Sequence, residues 1–259
     1  MGAARHIRAL QSRFPGLADM KADAQRAWRR LRRAPFEADF EILRRLQVAP
    51  GQVLIDVGAN RGQSIDAMRL YHPSAAIHAF EPAARLANQL AARYADDAAL
   101  SLHRVGLADA AARRTLFTPV YRGFGYDGLA SFNAEEARSW LNADTVANFD
   151  PHALALHEAP CELARLDDFN LAPAFMKLDV QGFEAAALTG AQTTLRAHEP
   201  VVMLENNPAA DALLTGWGWV RAAVTPGPRL FQDAHGALNT VYLTPRRAER
   251  LAEQGVLER

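Results

Sequence analysis

The residues best suited to chemistry in this 259-residue chain stand where apolar runs end. Val53-Leu54-Ile55-Asp56-Val57 is a β-branched run carrying an acid. It is followed by Gly58-Ala59-Asn60-Arg61-Gly62 and then by Gln63-Ser64-Ile65-Asp66-Ala67-Met68, which reads as a helix. Strand, glycine-punctuated turn and helix in that order form a nucleotide-type cofactor site at the C-terminal edge of a parallel sheet. Gly58 and Gly62 allow the backbone to turn sharply and to approach a ligand with no Cβ in the way. A dinucleotide fingerprint would place glycines at 58, 60 and 63, but Asn60 and Gln63 stand at the last two positions. The glycine missing at 60 is the one that lets a pyrophosphate rest against the backbone. A cofactor without a pyrophosphate fits better, and S-adenosylmethionine is the candidate.

A second run, Ala76-Ile77-His78-Ala79-Phe80-Glu81-Pro82, reads as the next strand with an acid at its end. Glu81 follows Gly62 at close to the ~20-residue interval expected of a carboxylate that takes both ribose hydroxyls. Pro82 is placed to start the helix that follows. The plainer alternative is that Asp56 and Glu81 only cap strand ends in an unrelated α/β protein.

The elements that must position these residues alternate. The pattern gives strand 53–57, helix 62–71, strand 76–80, helix 82–94 and strand 99–105, with a short strand at 115–117. Alternation of this kind predicts a doubly wound parallel sheet. Residues 118–160 break the rhythm with the glycine–aromatic stretch Tyr121-Arg122-Gly123-Phe124-Gly125-Tyr126-Asp127-Gly128. There Asn133 and Glu136 make a capping box for a helix over about 134–147. This segment reads as an insertion over the sheet edge, within a domain of residues 49–259 preceded by an N-terminal helical segment of residues 1–48. Alternation resumes with a strand ending at Asp179, a helix to about 197, a strand ending at Glu205, helix 208–215 and strand 219–224. A hairpin around His235-Gly236 and an antiparallel final strand at 240–243 follow, and Pro245 opens a charged terminal helix.

Bulk properties narrow the classes. With 49% hydrophobic residues a full core is available, and zero formal net charge argues against nucleic acid as an obligatory partner. Cys161 is the one cysteine, so neither a disulfide framework nor a cysteine metal site is expected. There is no run of the ~20 apolar residues that a transmembrane segment needs, and no secretory signal, which makes a cytoplasmic location the default. Charge is uneven, however: residues 1–48 hold ten arginines and one lysine against five acids. Ile7, Leu10, Phe14, Leu17, Trp28, Leu31, Phe36, Phe40, Leu43 and Leu46 recur there at helical spacing. Either a solvated basic face or a docking surface for an anionic substrate, membrane or partner accounts for that pattern.

Four ordered motifs carry a family resemblance. Asp56-Val-Gly-Ala-Asn-Arg-Gly62, Phe80-Glu81-Pro82, Lys177-Leu-Asp-Val-Gln-Gly-Phe-Glu184 with Leu188-Thr-Gly-Ala191, and Leu204-Glu205 resemble FkbM-type S-adenosylmethionine-dependent methyltransferases. Gln181 stands where that family usually has a glutamate. The resemblance implies the class I methyltransferase (Rossmann-like) fold, a doubly wound seven-stranded sheet with its last strand antiparallel. It also implies O-methylation of a sugar, glycan or secondary-metabolite hydroxyl. An N-methyltransferase and a catalytically silent cofactor-binding module serving a partner are the alternatives.

Ligands of such a sheet sit at the C-terminal strand ends. Asp56, Gly58, Gly62 and Glu81 are accordingly expected to bind the cofactor, with Asn60 and Arg61 at its methionine carboxylate and Leu107 and Asp109 at its adenine. Asp179 is expected both to bind the cofactor, near its methyl group, and to position or deprotonate the acceptor hydroxyl, with His157, His152 and Tyr126 as rival bases. A divalent cation such as Mg²⁺ on Asp179, Glu205 and Asn206 is the less favoured reading. Glu184 should favour a helix N-terminus, and Lys177 should enter a buried ion pair.

Overall fold

The computed structural model describes residues 24–29 and 31–258. Ile7, Leu10, Phe14 and Leu17 lie outside the described residues. The chain forms two compact units, one of Arg33–Ala112 and Glu162–Arg259, the other containing Arg113–Cys161 and the helical residues 24–29 and 31–32. A 3-10 helix, Ala38–Arg45, has its Phe40, Ile42 and Leu43 fully buried in the core of the larger unit.

In chain order the larger unit begins with β1 (Val53–Val57), α1 (Gln63–Tyr71), β2 (Ala76–Phe80), α2 (Ala84–Arg93), β3 (Leu100–His103) and β4 (Gly106–Leu107). The helix expected from Pro82 starts two residues later, because Ala83 is extended and its N–H is taken by Glu81. The smaller unit holds β5 (Ala112–Tyr121), β6 (Phe124–Gly125) and α3 (Ala134–Ser139). Its glycine–aromatic stretch is a tight hairpin, with Arg122 (φ 51°) and Gly123 (φ 82°) at the turn. Tyr121, Tyr126, Leu141 and Val146 form a small core of their own. Asn133 caps α3 through the N–H groups of Glu135 and Glu136. That helix ends at 139 and not 147, because the Asn142 side chain accepts from the N–H groups of Asp144 and Thr145 and turns the chain away.

β7 (Leu154–Ala164) is a long strand that the sequence pattern does not announce, with Pro160 and the three polar side chains His157, Glu158 and Glu162 obscuring its alternation. Its last residues pair in parallel with β4. The larger unit continues with β8 (Pro173–Leu178), α4 (Glu184–Thr189), α5 (Gln192–His198), β9 (Val201–Glu205), α6 (Pro208–Gly216), β10 (Val220–Thr225), β11 (Arg229–Gln232), β12 (Asn239–Leu243), α7 (Pro245–Glu253) and β13 (Leu257–Glu258). Among the described residues no helix is long and apolar enough to cross a membrane.

The main sheet has nine strands among the described residues, in the order β13-β11-β10-β12-β9-β8-β1-β2-β3, not the seven expected. β3, β2, β1, β8 and β9 are parallel, and β12 runs antiparallel to both of its neighbours, β9 and β10. The expected hairpin around His235-Gly236 is corrected. β11 and β12 do not pair with each other, because β10 lies between them and β11 folds back on β10 through Pro226-Gly227-Pro228. The final strand is β13, parallel to β11, so the antiparallel β12 is not the last.

Period-two alternation sends the side chains of each strand to two cores. Leu54, Ile77, Phe175 and Met203 join Phe40 on one face, and Ile55, Phe80, Met176 and Leu178 join α4 and α5 on the other. β1 and β8 are buried along their whole length, as central parallel strands should be. The helix expected to run to about 197 is split into α4 and α5 at Gly190, where a Cβ would lie 1.9 Å from the Ala108 carbonyl oxygen. Gly190→Ala should therefore lower stability by roughly 1–3 kcal/mol through overpacking. Urea unfolding at wild-type midpoint would contradict this contact.

Candidate functional site

The acids of the motifs converge at the C-terminal ends of β1, β2, β8 and β9. Asp56 on β1 is the register partner of Lys177 on β8, so the two side chains stand next to each other on one face of the sheet. Asp56 is fully buried and Lys177 is 2% exposed. Among the described residues neither carboxylate oxygen of Asp56 has a hydrogen-bond partner. Burial pushes its pKa up to about 7; the neighbouring Asp179 and Glu81 carboxylates push the same way, while Lys177 opposes the shift. The Lys177 ammonium donates to the Leu178 carbonyl at 3.2 Å and lies 3.8 Å from Asp179 Oδ2.

The turn after β1 is held by contacts that explain its glycines. Gly58 (φ 82°) lies so close to the loop after β8 that a Cβ would sit 1.9 Å from the Asp179 carbonyl oxygen. The close approach expected at Gly58 is thus to protein backbone. Gly62 (φ 83°) precedes α1, and a Cβ there would meet the Tyr94 hydroxyl at 2.5 Å; that hydroxyl donates to the Gly62 carbonyl at 2.8 Å. Asn60 adopts the left-handed conformation (φ 46°), so the turn needs that backbone state without needing a glycine. Its N–H donates to Glu81 Oε2 at 2.8 Å, and the N–H of Ala83 donates to Glu81 Oε1 at 2.9 Å. Glu81, 5% exposed, thereby clasps the turn to the end of β2. Arg61 is half-buried, and its carbonyl accepts from Arg93 at 2.7 Å.

Asp179 is the open member of the group, with its side chain 35% exposed. Gln181 donates to its Oδ1 at 2.9 Å, which gives an uncharged role to the position where the resembled family has an acid. Glu184 is buried and ties two loops together, accepting from the Val180 N–H (3.2 Å) and from Asn207 Nδ2 (2.8 Å). Glu205 is half-buried, and burial followed by the Asp179 charge raises its pKa. The Asn206 amide donates to the Gly236 carbonyl through Nδ2, and its oxygen accepts from the Thr240 hydroxyl. Among the described residues no group of three or more His, Cys, Asp or Glu side chains is disposed to hold a metal ion.

Sequence reasoning missed a strap at the start of the 3-10 helix, made of its N-cap Glu37 and first-turn Asp39. Asn239 on β12, opposite Glu205 on β9, is fully buried and donates to Glu37 Oε2 (2.8 Å) and Asp39 Oδ2 (3.0 Å). Burial raises the pKa of Glu37, Asn239 and Lys177 oppose the rise, and Asp179 and Asp39 add to it. No motif marks these residues, because their partner is about 200 positions away. Of the remaining expected site residues, Leu107 is buried in the second core and Asp109 is exposed beside it. His157 is an exposed residue of β7 in the smaller unit, which also contains His152 and the largely buried Tyr126.

Residues 56–215 match the model of the methyltransferase FkbM domain. Among solved structures the chain is similar to a methyltransferase FkbM from Methylobacillus flagellatus, at 17% identity and a TM-score of 0.48, covering 76% of this chain and 44% of that one. It therefore spans less than half the length of that relative. It is also similar to a putative methyltransferase from Streptococcus mutans solved in complex with SAH (10% identity, TM-score 0.39, 81% and 97% covered). A SAM-dependent O-methyltransferase from Thermotoga maritima is similar at 11% identity and a TM-score of 0.38, with 80% and 64% covered. No curated protein matches the chain.

The raised pKa of Asp56 has a signed consequence. The folded chain holds that proton up to about pH 7, whereas the unfolded chain releases it in the ordinary carboxylate range. The stabilising effect of this group is complete below the unfolded value and is lost as pH rises through the folded one. Asp56→Asn cannot ionise, so its thermal midpoint should gain on wild type between pH 4.5 and pH 8 (about the span of the two values). A difference constant across that range would contradict the buried, proton-holding Asp56.

Proposed function

The chain belongs to the FkbM family of S-adenosylmethionine-dependent methyltransferases, and on that premise we propose that it methylates a hydroxyl of a sugar, glycan or secondary metabolite. The observation that carries this reading is the position of Asp179. It is a partly exposed carboxylate at the end of β8, oriented by Gln181 and Lys177, with its backbone pressed against the turn after β1.

The residues at the strand ends suit the cofactor. Each Glu81 oxygen accepts a backbone N–H, and in this reading the same carboxylate takes the ribose hydroxyls. With Asp56 holding its proton up to about pH 7, the Glu81 and Asp179 carboxylates still outnumber the Lys177 ammonium, a balance that favours a ligand bearing positive charge. Asn60 and Arg61 would hold its methionine carboxylate, and the segment at Leu107 and Asp109 its adenine. When bound, S-adenosylmethionine supplies a methyl group activated on a sulfonium. The chain must then align an acceptor oxygen and take its proton. Asp179 is the base in this reading, with His157 the rival, and the acceptor is a small molecule or glycan.

Two variants assayed in parallel, with labelled cofactor and a panel of hydroxylated acceptors, test the assignment. Asp179→Asn should bind S-adenosylhomocysteine as wild type does while turnover falls about 10²-fold or more. His157→Ala should keep most of its turnover. The opposite result transfers the base to His157. Full activity in both variants removes general-base catalysis by either residue. Turnover should also survive exhaustive chelation with EDTA, and its loss would restore the divalent cation to the site.

A further inference from the structure

The helix of residues 24–29 and 31–32 carries side chains that the methyl-transfer site does not use. Trp28 is 54% exposed and Leu31 is 84% exposed. Three positions apart on a helix, they share one face. From residue 24 to residue 36 the sequence has five arginines (Arg26, Arg29, Arg30, Arg32 and Arg33) and no acid, although the whole chain is formally neutral. The Arg32 guanidinium carbon lies 4.7 Å from the centroid of the Trp28 ring, so a cation is held directly against the exposed indole. Water is a poor environment for this face. A short helix that offers tryptophan and leucine together, with arginines around them, matches the boundary between lipid headgroups and acyl chains.

We propose that this helix is an interfacial anchor that docks the chain reversibly on an anionic lipid surface. Trp28 and Leu31 enter the headgroup boundary, and Arg29, Arg32 and Arg33 pair with lipid phosphates. The charge pattern supplies the complementarity: a dense basic segment on a neutral chain meets a negative surface that repels nothing within the segment itself. A nucleic acid would also attract the arginines, but it gives no return for an exposed leucine beside an indole. The anchor is independent of the acceptor assignment, and either can fail without the other.

Cosedimentation of the full chain with phosphatidylcholine vesicles, with and without phosphatidylglycerol, tests the proposal. Binding should require the anionic lipid, should weaken as salt rises, and should shift tryptophan emission to shorter wavelength. Arg29→Gln/Arg32→Gln/Arg33→Gln and Trp28→Ser/Leu31→Ser should each reduce partitioning by about tenfold or more, with the thermal midpoint unchanged. Trp28→Phe should retain binding, because it keeps the apolar insertion. Equal binding to neutral vesicles, or undiminished binding by both multiple variants, would overturn the anchor. So would a chain that ignores vesicles while the same arginine substitutions abolish its binding to duplex RNA or DNA.

Discussion

Asp56 and Lys177 are cross-strand neighbours in the middle of a sheet whose flanking positions are apolar, and the candidate site is arranged around that pair. Burying either charge alone would be strongly unfavourable; side by side they offset part of that penalty. The compensation is incomplete, since Asp56 still holds a proton up to about pH 7. The chain contains two lysines, Lys21 and Lys177, and many arginines. The slender Lys177 ammonium reaches both the Leu178 carbonyl and Asp179. A planar guanidinium with five donors would leave several of them unmet there.

From that pair outward, each acid has a distinct structural partner. Glu81 holds the turn after β1, Glu184 joins the loops after β8 and β9, and Glu37 with Asp39 receives Asn239. The close contact of Gly58 with the Asp179 carbonyl fixes the spacing between the first and second of these loops. Fixed loops matter because alignment is most of what a methyl-transfer site must supply. Asp179 and Glu205 remain more open to solvent than the buried Asp56, Glu81 and Glu184, consistent with a role toward a second substrate.

Local patterns made the centre of the larger unit legible in the sequence. β1, β2, β8 and β9 are short apolar runs ending in acids, and their order and the intervening helices follow from alternation. What depended on distant pairing was not legible. Asn239 meets Glu37 and Asp39 across about 200 residues, and β10 separates β11 from β12 although the sequence pattern favours a direct hairpin. β7 escaped notice because its charged and proline residues mask the period of two. The glycine motif points to a close approach at Gly58, and the structure makes that approach to the backbone of Asp179, a contact that no local motif encodes.

In the proposed reading the turn after β1, with Asn60 in place of a phosphate-cradling glycine and Glu81 behind it, takes a sulfur-bearing adenosine in preference to a dinucleotide. Calorimetric titration of the purified chain with S-adenosylhomocysteine and, separately, with NAD tests this most directly. Saturable binding of the first at one site per chain, with no heat from the second, is the predicted result. Silence toward the sulfur nucleoside, or binding of the dinucleotide in its place, would contradict it.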